Sequence, residues 1–178
     1  AGDYLDAFDD TMFATAEAQQ ALADNMQAVQ DGITTICRKA AEERRGYTAE
    51  EITQLDQYFD QLNELTKQQL DVQLRKLETI QNVSIEEANT FEGTSSEYLA
   101  QAKKQINTAR QQRDAVIDLA EQQYTTEIAL LEQAYKDKGA ISVTEYTERK
   151  KQAEEDRDHA IQTAKDQNAA VVTQWQEG

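Results

Sequence analysis

In 178 residues the chain has no proline, six glycines, and a single cysteine, histidine and tryptophan. Proline is normally about one residue in twenty, so its lack argues against a chain rich in irregular turns. A lone cysteine, Cys37, excludes an internal disulfide framework. Aromatics make up only 7%, and mean hydropathy is −0.81. No apolar run approaches the roughly 20 residues that span a bilayer, and no signal-peptide pattern is present. Positive charge is scarce: 18 Lys and Arg stand against 34 Asp and Glu, a formal charge of −16. Affinity for nucleic acid comes largely from neutralising phosphates, so a duplex-binding role has little electrostatic support, and the same sign disfavours anionic membrane surfaces. Low hydropathy alone would also fit disorder, but disorder predicts abundant Pro, Gly and Ser with no apolar period. Neither holds here.

What is present is Ala, Glu, Gln, Lys, Arg and Leu, the composition of long helices and coiled coils. The cleanest period runs through Leu5, Phe8, Met12, Thr15, Gln19, Leu22, Met26, Val29, Ile33, Ile36 and Ala40. Steps of 3 and 4 alternate throughout, which makes the a/d seam of a left-handed coiled coil over about five heptads. Thr15 and Gln19 are its polar members, the kind that sets register at some cost in stability. Gly32 lies beside the seam and weakens the helix there by about 1 kcal/mol relative to Ala, so a local break is expected near it. Asp3, Asp6, Asp9, Asp10, Glu17, Asp24 and Asp31 all precede the first base, Arg38, which matches acid to the positive end of the helix dipole.

The run is expected to stop at Arg44-Arg45-Gly46 and to restart at a capping box, Thr48 with Glu51. A second helix from about 48 to 82 carries Ile52, Leu55, Phe59, Leu62, Leu65, Leu70, Leu74, Leu77 and Ile80, with Asp71 and Arg75 spaced to pair. From 83 to 96 the helical signal weakens: a short box, Ser84 with Glu87, precedes Asn89, Gly93 and Thr94-Ser95-Ser96, which predicts a short helix and a loop. A third helix then opens at Thr94 with Glu97 and closes on Lys136, Lys138 and Gly139, and a fourth opens at Ser142 with Glu145. The third seam reads Leu99, Ala102, Ile106, Ala109, Arg113, Val116, Ala120, Tyr124, Ile128, Leu131, Tyr135, with a stutter at Ala120–Tyr124–Ile128. The fourth is a narrow stripe of Tyr146, Ala153, Ala160, Ala164, Val171 and Trp175, which permits close helix approach while burying little area. Glu132 with Lys136, Glu145 with Arg149, Lys150 with Glu154 and Lys151 with Glu155 are spaced as i, i+4 pairs.

The fold class is therefore all-α: long helical hairpins forming an antiparallel coiled coil, with an elongated four-helix bundle and an extended rod both open. The expected organisation is a hairpin over 1–82 turning at Gly46, a short helix and loop over 83–96, and a hairpin over 97–178 turning at Gly139. The halves share a plan of elements without aligning in sequence. A start at Ala-Gly and an end on a helical pattern read as a piece of something longer.

No catalytic, cofactor or metal residue is assigned. His159 with Glu155 offers only two ligands on a solvated face, too few for a zinc site. Cys37 has no histidine or elbow motif near it in sequence and reads as a structural residue flanking the seam. Asp56 and Asp60 share a helix face, but acid–base work needs a cleft that shifts their pKa values, and a slender hairpin is expected to offer none. The seven tyrosines and Trp175 sit mostly at seam spacing, so packing is preferred over a stacking platform for bases. There is no phosphate-binding Gly loop and no G-x-S-x-G.

The stretches GYTAEEITQLDQYFDQLNELTKQQLDVQ and AEQQYTTEIALLEQAYKDKGAISVTEYTERKKQAEEDRDHAIQTA resemble the coiled-coil regions of tail tape measure proteins from long-tailed phages of Gram-positive bacteria. The likeness rests on a glycine turn between long Gln/Glu/Ala-rich helices and on the cadence SxxEYxxRKxxAExxRDxAI after Gly139. The resemblance implies a non-enzymatic, multi-copy ruler around which the tail tube polymerises. Its partners would be other helices, tail-tube and baseplate proteins, with neither nucleic acid nor membrane, and its place the virion tail. A fully helical chain of 178 residues would span roughly 270 Å, whereas each hairpin spans roughly 60 Å. The glycine turns thus fit a folded state before assembly, or a segment near one end of the rod. Two other readings are an adhesin or scaffold hairpin of a Gram-positive surface protein, and an acidic module that engages a basic protein.

Overall fold

The computed structural model describes the backbone of residues 16–135 and 140–177 and the side chains of 16–135 and 143–176. Seam residues Leu5, Phe8, Met12 and Thr15, the acids Asp3, Asp6, Asp9 and Asp10, the turn through Lys136, Lys138 and Gly139, and the Ser142 hydroxyl lie outside the described residues. Within them the protein is all-α, with four helices and no strand: α1 (Ala16–Glu42), α2 (Ala49–Asn89), α3 (Ser95–Tyr135) and α4 (Ala140–Glu177).

The α1 seam packs as its period demands. Met26, Val29, Ile33, Ile36 and Ala40 are all buried. The helix does not break at Gly32. Instead the ring of Tyr58 on α2 occupies the space a side chain would need, 2.6 Å from an ideal Cβ. The end of α1 differs from expectation. Arg44, not Gly46, adopts the left-handed conformation, with φ 50°. The Arg45 amide donates to the Ala40 carbonyl and the Arg44 amide to Ala41, both at 3.1 Å. These nested bonds are a Schellman cap whose left-handed position falls two residues before the glycine. A Cβ on Gly46 would meet nothing within 4 Å.

Thr48 and Glu51 form the full reciprocal box: the Glu51 amide donates to Thr48 Oγ1 at 3.1 Å and the Thr48 amide to Glu51 Oε1 at 3.0 Å. At the start of α3 the Glu97 amide donates to Thr94 Oγ1 at 3.1 Å, and that hydroxyl donates to the Glu97 carboxylate at 3.2 Å. The expected start at Ser84 is absent, because α2 continues unbroken to Asn89. Ser84 is buried inside it, and its hydroxyl accepts the Trp175 indole N–H at 2.7 Å. A serine marks a helix start only where the backbone ladder is open; here the ladder runs on and the hydroxyl is used sideways.

The described residues divide into two compact units, one made of 16–69 with 121–135 and 140–157, the other of 70–120 with 158–177. The first is a four-helix arrangement. Its core joins Met26, Val29, Ile33, Ile36 and Cys37 of α1, Leu55, Phe59 and Leu62 of α2, and Leu131, Ala134 and Tyr135 of α3. Tyr124 on α3 donates to Glu154 on α4, and Tyr146 to Glu132, so these helices run antiparallel there. The second unit has three helices, with Leu77 and Ile80 of α2, Ala102, Ala109 and Val116 of α3, and Ala164, Val171 and Trp175 of α4 in one cluster. Its alanines allow the close approach expected of the narrow stripe. Trp175, Tyr98 and Phe91 close it, with ring centroids 5.2 to 6.4 Å apart. In this unit α2 also pairs antiparallel with α3, through Gln105 on Glu87 and Gln112 on Gln73. The two expected hairpins are thus joined by a third pairing.

On α3 the buried row departs from the expected seam. Gln105, Gln123 and Glu127 are buried, whereas Leu99 is 68% exposed and Arg113, Tyr124 and Ile128 are half-buried. The reason is that α3 touches a helix on each side: Gln123 donates to Gln69 on α2 at 2.7 Å, and Tyr124 reaches α4. Tyr124 and Ile128 mark one edge of a wide inward arc, and Gln123 and Glu127 lie within it.

Candidate functional site

In the four-helix unit, helical spacing aligns polar side chains from three helices. On α2, Asp56, Asp60 and Asn63 fall at i, i+4 and i+7; on α4, Glu145, Arg149, Gln152 and Asp156 continue the same rhythm. Glu127 faces them from the buried row of α3. Asp60, Asn63, Glu127, Glu145, Glu148, Arg149 and Gln152 line a cleft of about 420 Å³.

Arg149 is held on one side of this cleft. Its Nε donates to Glu145 at 2.6 Å, one η nitrogen to Asp60 at 3.1 Å, and that nitrogen lies 3.8 Å from the Asp56 carboxylate. The guanidinium also stands 5.6 Å from the Phe59 ring centroid. Burial alone would lower its pKa, but the bonds from Glu145 and Asp60 raise it on balance. Asp156 accepts two neutral donors, Asn63 Nδ2 at 3.0 Å and Gln152 Nε2 at 2.9 Å.

Glu127 is different. It is 6% exposed and accepts no hydrogen bond from any described residue. Burial, reinforced by the Asp156 charge and opposed by Arg149 and Lys67, pushes its carboxyl up to about 7. One turn earlier, the amide oxygen of Gln123 is buried without a partner, away from the residues that line the cleft. Glu127 is the α3 residue that lines the cleft, and no described side chain donates to it. Chemically the cleft offers four carboxylates, one guanidinium already engaged, and a proton that exchanges near neutral pH.

Asp56 and Asp60 do come together, but on Arg149, as an ion-pair network rather than an acid–base pair. A cleft that shifts a carboxyl does exist, contrary to expectation, because three helices rather than two enclose it; the shifted group is Glu127. A polar residue is passed over when a seam is read from apolar residues alone. The spacing Ala120, Gln123, Glu127, Leu131, Ala134 would have marked it. His159 and Glu155 are exposed on α4, and no group of three or more His, Cys, Asp or Glu is disposed to hold a metal among the described residues. Cys37 is buried, and the Tyr47 hydroxyl donates to its Sγ at 3.4 Å; burial in turn raises the Tyr47 pKa. Tyr135 and Trp175 pack in the cores.

No family model, no curated protein and no solved structure matches this chain. No described helix is long and apolar enough to cross a membrane.

Proposed function

We propose that the protein is a structural, non-enzymatic helical module whose work is to mate helices, first with one another and then with partner proteins. The observation that carries this reading is the use of the apolar seams: the described helices bury them against each other, in antiparallel pairs, around cores built from Leu, Ile, Val and Ala. Within that class we assign it to the coiled-coil region of a phage tail tape measure protein, supported by the resemblance of 46–73 and 120–164. Closed hairpins are then the form before assembly. Tail-tube and baseplate proteins and further copies of the chain become the helix partners in the virion tail. Duplicating the 178-residue segment in the parent gene tests the ruler directly, since a helical ruler lengthens the tail by roughly 1.5 Å per added residue, or about 270 Å. Tails of unchanged length in electron micrographs overturn the assignment.

A second reading, an acidic module that docks a basic protein, is favoured by the formal charge of −16. It predicts binding to a basic partner that weakens steeply with salt.

A further inference from the structure

One carboxyl group in the four-helix unit lines the cleft with no donor from the described residues. We infer that the cleft between α2, α3 and α4 is a binding site for an organic cation, a guanidinium or primary ammonium group whose N–H donors meet the Glu127 carboxylate.

The argument begins with what the neighbours already do. Arg149 is committed to Glu145 and Asp60, and Asp156 to Asn63 and Gln152. Neither the one base nor the two amides lining the cleft donates to Glu127. Glu127 is 6% exposed and opens on the cleft, so donors that the fold does not supply can come from a ligand there. Glu127 lines the cleft together with Asp60, Glu145 and Glu148. Four acids against one engaged base concentrate negative potential in the cleft, which attracts positive charge.

The size and geometry choose among cations. A metal ion needs several oxygens converging at about 2.0–2.6 Å, and the described acids form no such group. The volume of about 420 Å³ suits a larger cation carrying several N–H donors. A guanidinium brings five in a planar fork and an ammonium three. The cation comes either as a free diamine or as the side chain of a partner protein. This inference does not depend on the tail assignment.

Ionised Glu127 is the binding form, so protons compete with the ligand. The charged groups that bear on it are Lys67 and Asp60 from α2 and Arg149, Asp156, Glu145 and Glu148 from α4. With its carboxyl near 7, ionisation falls about tenfold between pH 8 and pH 6, and affinity falls with it. Binding near neutral pH releases a proton.

Isothermal titration of the full chain with agmatine, and separately with the peptide acetyl-Ala-Arg-Ala-amide, tests this at pH 8 and pH 6. The expected result is saturable one-to-one binding at pH 8, about tenfold weaker at pH 6, and at least tenfold weaker in Glu127→Gln, with Glu121→Gln, an exposed acid on α3, unchanged. Binding of both probes identifies a free cation as sufficient; binding of the peptide alone identifies a partner's side chain. The inference is overturned if neither probe saturates, if the pH 6 and pH 8 affinities agree, or if Glu121→Gln loses as much as Glu127→Gln. The pH comparison uses the unmodified chain and stands even if the Glu127 variant fails to fold.

Discussion

Arg44 sits at φ 50° because the cap that ends α1 needs a left-handed residue there. An L side chain in that region is strained by about 1–2 kcal/mol, which glycine escapes, while glycine's larger unfolded-state entropy takes back part of the gain. Arg44→Gly should therefore raise the unfolding free energy by about 0.5–1 kcal/mol, read as a higher urea midpoint at unchanged slope. A lower midpoint would mean that the Arg44 side chain itself holds the turn. Glu127 makes a prediction of its own through pH. Its folded pKa, about 7, lies above the ordinary 4.5, so the native state holds its proton more tightly than the unfolded chain. Stability from this group is full below about pH 4.5 and lost as pH rises to about 7, by on the order of 2–3 kcal/mol. Glu127→Gln should flatten that fall and make the protein more stable than wild type at pH 8, as checked by denaturant unfolding across pH 5–8. Glu51 acts in the opposite window: the Arg45 guanidinium holds its carboxyl at about 2, so its stabilisation is present above about pH 4.5 and lost as pH falls toward 2.

Two helices are tied at the element scale by the Trp175 indole donating to the buried Ser84 hydroxyl at 2.7 Å. Ser84→Ala removes the acceptor and leaves a buried N–H, at a cost of about 1–3 kcal/mol. Removing the donor as well, with Trp175→Phe, should make the Ser84 substitution nearly silent. A double-mutant cycle followed by circular dichroism is expected to give a coupling of about 1–2 kcal/mol, and a coupling near zero would reassign Trp175 to ring packing alone. This contact also shows what the residues could disclose beforehand. The helices, the buried α1 seam and the Thr48–Glu51 box were legible, because heptad spacing and caps are local. The Ser84 motif reads as a helix start by the same local rule, yet a tryptophan distant in sequence overrides it. Glu127 was hidden for a related reason: hydropathy ranks it as solvated, and only the position of α3 between α2 and α4 turns its face inward. Gly32 looked like a weak point in α1 because nothing local announces that Tyr58 fills the space above it.

Charge and seam closure bear on the molecule as a whole. With 34 acids and 18 bases, like-charge encounters outnumber opposite ones, so folding compresses a net repulsion. Exposed pairs such as Arg75–Asp71 at 3.0 Å return only about 0–1 kcal/mol each. Raising the ionic strength from about 0.01 M to 1 M shortens the screening length from roughly 30 Å to 3 Å, which relaxes long-range repulsion more than it weakens close pairs. The melting temperature should therefore rise with sodium chloride, by about 2–4 °C for each kcal/mol of repulsion removed in a chain of this size. A fall would mean that specific ion pairs, Arg149 and Arg45 foremost, outweigh the net charge. Light scattering on the same samples separates stability from association. Because most of the described seam residues are buried within the chain, a single 20.1 kDa particle is expected at every salt concentration. A mass that doubles as salt rises would instead show that repulsion alone keeps the chains apart and that a seam is completed between molecules, as assembly into a multi-copy rod requires.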